Sequence, residues 1–147
     1  MIHKQPANIL KNLTPNFVGW GTNPSINETN PVEGSTTIAG AGDYGLVWFD
    51  LFEHGVIQLP VLVFASVGIR RDTGGQITAF IEASSTNSQP YVSGVSIGAT
   101  TNIQEQKKDA PSAIWINSRY MQLRFNGSAA SKGYTKIYKL AAFPFPI

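Results

Sequence analysis

Cysteine is absent from this chain of 147 residues, and histidine and methionine occur only twice each. Without cysteine there is no disulfide scaffold, no thiolate nucleophile and no Cys-ligated zinc or iron–sulfur centre. Charge is scarce as well. Asp, Glu, Lys and Arg make up 14% of the chain, against roughly 25% in an average globular protein. The hydrophobic share of 42% nevertheless excludes a disordered polymer. Long apolar runs are also lacking. The strongest, from Val56 to Ile69, is broken by Gln58, Pro60, Ser66 and Gly68, and a bilayer span needs about 20 apolar residues. No membrane partner is therefore expected. The first residues carry charge but no apolar run of signal-peptide length, because Asn8, Lys11 and Asn12 interrupt it, so a soluble, complete and unprocessed chain is expected. Nor does basic charge cluster: the net charge is +2, and the pairs Arg70-Arg71 and Lys107-Lys108 adjoin Asp72 and Asp109. A nucleic-acid binder concentrates its cations on one face to displace counterions, and no nucleic-acid partner is expected.

What the chain does have is turn formers, 14 Gly and 9 Pro, and short stretches of period-two hydrophobicity. That combination, at a length suited to one domain, predicts an all-β fold. Residues 1–42 are poor in regular pattern. Pro6, Pro15, Pro24 and Pro31 punctuate them, and a short strand over Thr36–Ala39 is followed by Gly40-Ala41-Gly42. They read as an irregular N-terminal arm or extended segment, either a strand pair with long loops or an arm that packs on a neighbouring subunit, with 43–147 as the β-sandwich domain. Tyr44–Glu53 is apolar on both faces, which suits a central or covered strand. In Val61–Arg71, alternate residues Val61, Val63, Ala65, Val67 and Ile69 share one face. Asp72-Thr73-Gly74-Gly75 then reads as a hairpin turn and Gln76–Ala83 as the partner strand. Further strands are predicted over Tyr91–Ile97, Ile114–Ile116, Tyr120–Asn126 and Tyr134–Phe143, with Gly98–Ala110 as an exposed loop or short helix. About eight strands in one domain mean a single-domain antiparallel β-sandwich or barrel.

Chemistry is thinly represented. His3 lies near the terminus, and His54 precedes a glycine in a turn; nothing local supplies the fixed imidazole with an orienting carboxylate that a Ser–His–Asp triad requires. Asp50, Glu53 and His54 stand close together but read as polar residues at a strand end. No EF-hand spacing, Walker loop or dinucleotide fingerprint occurs. No catalytic residue, metal site or cofactor is assigned. The aromatics are more informative. A sugar presents an apolar C–H face ringed by hydroxyls, so its site wants an aromatic plate beside polar side chains. Tyr91 and Trp115 are candidate plates, with Asn117, Arg119 or Gln89 as polar partners. Trp48 and Trp115 each sit inside an apolar run, which points to core positions for both. Phe17 and Trp20 near one end, and Phe143 and Phe145 among prolines at the other, are candidate interface residues, because exposed hydrophobic tails call for cover. The same two phenylalanines could instead cap their own sandwich.

The order of these pieces resembles the jelly-roll modules of the galactose-binding-like, carbohydrate-binding-module type. The resemblance is carried by Asn8-Ile9-Leu10 leading to Gly19-Trp20, by the aliphatic strand, Gly-rich turn and partner strand of Val61–Ala83, and by the closing strands Tyr120–Phe125 and Lys136–Phe143. Thr22–Gly34 is more proline-rich than that pattern. Modules of this type recur in tailed-bacteriophage virions, whose low-charge, Asn/Gly/Thr-rich, cysteine-free composition is similar. The resemblance implies a non-enzymatic structural or binding module. Its first form is a bacteriophage virion component (capsid decoration, head or tail fibre, or adaptor), located in the virion and working through contacts with its own copies or other virion proteins. The alternative is a carbohydrate-binding module that recognises a cell-surface glycan, and a glycan-active enzyme ranks behind both.

Overall fold

The computed structural model describes residues 8–24, 26, 34–37, 42–91, 93–110, 114–128 and 131–144. A 3-10 turn at Ile9–Asn12 is followed by eleven strands: β1 Asn16–Val18, β2 Trp20–Thr22, β3 Gly34–Thr37, β4 Gly42–Asp50, β5 Val61–Thr73, β6 Ile77–Ser84, β7 Ser93–Thr100, β8 Gln106–Asp109, β9 Ile114–Ile116, β10 Tyr120–Gly127 and β11 Lys132–Pro144. They form two antiparallel sheets. The front sheet runs β1-β4-β10-β6-β7, and the back sheet runs β2-β3-β11-β5-β8 with β9 also paired to β5. This is an all-β sandwich.

Alternation decides which side chains meet between the sheets. From the back come Val61, Val63, Val67 and Ile69 of β5 and Ile137, Leu140 and Ala142 of β11; from the front come Val47, Phe49, Ile77, Ala79, Ile81, Met121, Leu123 and Phe125, all at most 1% exposed. Each fully buried large aliphatic or aromatic side chain contributes about 1.5–3 kcal/mol of transfer free energy. β5 and β11 pair from Thr73↔Lys132 to Val61↔Pro144 and form the spine of the back sheet.

Two expectations are corrected and a third gains detail. Val61–Ala83 is not a hairpin. β5 lies in the back sheet and β6 in the front, so Asp72–Gln76 carries the chain across the core as an arch. A hairpin and an arch demand the same alternation, since each buries one face of both strands. The turn supports the arch: Ser128 Oγ accepts from the Gln76 amide at 2.8 Å, and Ser131 Oγ accepts from the Gly75 amide at 2.8 Å. Secondly, the described part of the N-terminal segment supplies strands to both sheets. β1 pairs with β4, and β2 joins β3, which pairs with β11. Asn8 Oδ1 accepts from the amides of Leu10 and Ala142 at 3.1 and 3.0 Å, tying the first turn to the last strand. Thirdly, Gly98–Ala110 contains a strand. β8 docks on the edge of β5 from Ile69↔Gln106 to Ser66↔Asp109, and its charge masked it in the sequence.

Phe17, Trp20 and Phe143 make contacts within their own sandwich. Trp20 packs edge-on to Phe125 (5.4 Å between centroids) and Phe17 (6.1 Å), and its indole N–H donates to Leu46 O at 2.8 Å. Phe143 meets Phe64 edge-on at 5.9 Å. Phe145 lies outside the described residues.

Candidate functional site

The outward side of the front sheet departs from an ordinary solvated face. Cross-strand register sets its rows. One runs Asn16, Trp48, Gln122, Glu82, Gly94; the next runs Val18, Leu46, Arg124, Phe80, Ser96; a third carries Asp50, Tyr120 and Ser84. Because partners in register point to the same side of a sheet, residues scattered from 16 to 124 in sequence share one surface.

At its centre the polar groups are desolvated. Gln122 is fully buried and Glu82 is 9% exposed. Glu82 accepts from Arg124 through both carboxylate oxygens, at 2.7 Å from Nε and 2.8 Å from Nη2, and from Gln122 Nε2 at 2.8 Å. Gly94 stands opposite Glu82, and a Cβ there would come within 2.6 Å of Glu82 Cγ, so only glycine leaves room for the carboxylate. The network propagates outward. With its amide nitrogen committed to the carboxylate, Gln122 offers Oε1 to Gln89 Nε2 at 2.7 Å, and its own Nε2 also reaches Gln89 Oε1 at 3.2 Å. Gln89 is exposed, so a buried carboxylate fixes the orientation of an amide at the surface.

Aromatic rings flank the network. Trp48 and Tyr120, both half-buried, meet edge-on at 6.1 Å, and Arg124 lies 4.5 Å over the Phe80 ring. At the rim Arg119 donates to both oxygens of Asp50 at 2.9 Å and stacks 5.0 Å over Tyr120. That guanidinium holds the Asp50 carboxyl below the usual carboxylate range. Tyr91 is 6% exposed and donates to Asn87 Oδ1 at 2.7 Å. Burial pushes its hydroxyl up to about 12, and the charges of Tyr120, Asp50 and Glu82 add to the shift; Tyr91 sits in the connection between β6 and β7 of the front sheet.

The four sequence candidates therefore divide. Tyr91 and Arg119 belong to the front face. Trp115 and Asn117 belong to β9 and the turn after it, where Trp115 stands opposite Leu62 in the back sheet. Two tryptophan positions are corrections. Trp48 alternates with the buried Val47 and Phe49, so it faces out of the front sheet, and Trp115 is 51% exposed between the buried Ile114 and Ile116. An apolar run hides which parity faces inward. Sequence reading passed over Glu82, Gln122, Arg124 and Tyr120. The available signal was the alternation Tyr120, Gln122, Arg124 against Met121, Leu123, Phe125, which puts three polar-capable side chains on one outward row. The trio Asp50, Glu53 and His54 is not brought together as a cluster. Asp50 binds Arg119, while the Glu53 carboxylate accepts from Thr14 N and Oγ1 at 3.0 and 3.1 Å. His54 Nε2 lies 2.7 Å from Asn12 O and 3.1 Å from Glu53. Among the described residues no group of three or more His, Asp or Glu could hold a metal ion.

A two-sheet antiparallel sandwich with a built, aromatic-flanked polar face defines the class of molecule. No protein-family model matches the chain, and no curated protein sequence matches it. Solved structures similar to it include a CBM4 carbohydrate-binding module, aligned over 89% of this chain and 94% of its own at 9% identity, TM-score 0.46. A second is chitosan-binding module 2 of a chitosanase/glucanase from Paenibacillus sp. IK-5, in complex with chitotriose, aligned over 90% and 96% at 10% identity, TM-score 0.41. A third is a CBM32 module from Clostridium perfringens, over 89% and 94% at 14% identity, TM-score 0.36. All three are carbohydrate-binding modules, and none of their residue roles is carried over to this chain. Among the described residues, no helix is long and apolar enough to cross a membrane.

Proposed function

We propose that this protein is a non-catalytic glycan-binding module and that the outward face of the front sheet is its binding surface. One observation carries the reading: the Glu82–Gln122–Gln89 chain, desolvated at one end and exposed at the other, lies on the same face as Trp48 and Tyr120. A sugar needs hydrogen-bond donors and acceptors held in place for its hydroxyls, and an aromatic plate for its C–H face. Fixed amides cost less ordering on binding than mobile side chains do. Arg119 and Arg124 each engage a carboxylate, so Asp50 and Glu82 serve as anchors for their neighbours rather than as an acid and a base across a cleft. The ligand is a cell-surface glycan rather than a cofactor. A glycan array followed by titration calorimetry tests this. Binding should be lost in Trp48→Ala and Tyr120→Ala with the fold intact, and kept in Trp115→Ala. An array without hits, or hits that survive both front-face substitutions, would overturn the reading.

The second reading is assembly through subunit contacts, as in a bacteriophage virion component. Its sequence basis lay in Phe17, Trp20, Phe143 and Phe145, of which the first three have partners in their own sandwich. The feature that favours it instead is the uncharged edge strand β7.

A further inference from the structure

Every open sheet must manage its edges, because an edge strand offers unpaired N–H and C=O groups to any passing strand. The edges among the described residues are β1 and β7 in the front sheet and β2, β8 and β9 in the back. Four of the five are protected. β1, β2 and β9 have three residues each, and β8 has four, of which three are Lys107, Lys108 and Asp109. Short length and charge are the usual defences. β7 has neither. It is eight residues long, Ser-Gly-Val-Ser-Ile-Gly-Ala-Thr, without proline or charge. The lack of charge extends on both sides: no Asp, Glu, Lys or Arg occurs from Ala83 to Gln104. Lys108 packs against Gly98 at the C-terminal half of β7. The N-terminal half, Ser93–Ser96, is exposed at all four positions.

Side-chain direction adds a second observation. Val95 stands opposite Ile81, which is buried between the sheets, yet Val95 itself is 42% exposed. It is a core-facing residue whose cover is missing at the edge.

We infer that two copies of this chain pair antiparallel through β7. The two-fold axis is perpendicular to the front sheet, with Val95 of one copy against Val95 of the other. Symmetry restricts the register. Such an axis keeps each face of the sheet on its own side, so a residue can pair only with one pointing the same way, and the axis must pass through a residue rather than between two. Centring on Val95 sets Gly94 opposite Ser96 and Ser93 opposite Ile97, and it buries the one apolar side chain that the edge leaves open. Self-pairing of an uncharged strand brings no like charges together, whereas β8 paired with itself would oppose lysines. The paired front sheets form one continuous surface with both outward faces on the same side. If that face takes glycan, the two sites act together on a multivalent target; the pairing itself does not depend on it.

Sedimentation velocity of the full chain over a concentration series tests the pairing, without any glycan. The wild type should shift from monomer to dimer as concentration rises. Val95→Lys should remain monomeric while keeping the wild-type far-UV spectrum and melting temperature. Ile103→Lys, which alters an exposed apolar residue off the strand, should dimerise as the wild type does. Hydrogen exchange on the unmodified protein supplies a measurement that needs no variant: protection of the Ser93–Ser96 amides should increase with concentration. A wild type that stays monomeric throughout, a dimer that survives Val95→Lys, or protection that appears elsewhere and not on β7 would overturn the inference.

Discussion

Arg124 and Glu82 meet on the outward side of a sheet with side chains only 12% and 11% exposed, so the pair is buried by its neighbours rather than by the core. Buried ion pairs are expensive to break from one side, since the remaining charge stays desolvated. Arg124→Ala should cost about 3–5 kcal/mol in urea unfolding. Replacing both, Glu82→Leu with Arg124→Met, should cost less than Arg124→Ala alone, because no charge is then left without its partner. Tyr91 and Asp50 report on the same face by titration. Tyr91 keeps its proton to about 12 when folded, against 10.0 for an ordinary tyrosine. Between those values the unfolded chain has lost a proton that the folded chain holds, so stability falls as pH rises through this window. The loss should be smaller in Tyr91→Phe. Asp50 has the opposite sign. Its folded pKa lies below 3.8 because Arg119 hydrogen-bonds the charged form. Its contribution is complete above that value and disappears as pH falls through the folded pKa. The stability difference between wild type and Asp50→Asn should therefore shrink in acid.

At the scale of elements, the arch between β5 and β6 depends on two adjacent glycines for different reasons. Gly74 has φ +87°, a conformation that costs an L-residue roughly 1 kcal/mol or more. Gly75 has ordinary φ, but a Cβ would lie 2.8 Å from the Ser128 carbonyl oxygen and crowd the loop that its own amide binds through Ser131. Gly74→Ala should lower the melting temperature by a few degrees, at about 2–4 °C per kcal/mol for a domain near this size. Gly75→Ala should lower it further, because the β10–β11 connection must shift as well. The arch was misread as a hairpin for a reason that applies to many sandwiches. Gly-Gly flanked by half-apolar strands announces a reversal, but hydrogen-bond partners are chosen by competition among strands. Here β10 and β7 take β6, while β11, β8 and β9 take β5.

For the whole molecule, the described part of residues 8–37 contributes strands to both sheets. Trp20 bridges the sheets by stacking on Phe125 and donating to Leu46 O, and β1 covers the free edge of β4. A chain that begins at Asp43 would lose that cover and expose backbone donors on β4 and β11. It should aggregate or remain unfolded by circular dichroism and light scattering, whereas the full chain gives a cooperative all-β melt. A soluble, cooperatively melting 43–147 fragment would restore the arm reading.

The sequence by itself determined the class of fold, because period-two alternation and glycine-rich turns are local properties that read directly as strands with one buried face. Val61–Ile69 and Ile77–Ala83 bury the faces expected of them. It also determined the bulk of the core and the scarcity of charge that leaves β7 bare. What the tertiary structure alone decided were pairings and parities. Trp48 and Trp115 have neighbours as apolar as themselves, so composition could not say which residues of those runs face outward. Glu82 and Gln122 are 40 residues apart and look like ordinary surface residues until register sets them side by side. A binding face on a sheet is assembled across strands, and cross-strand order depends on long-range hydrogen bonding that no window of sequence contains.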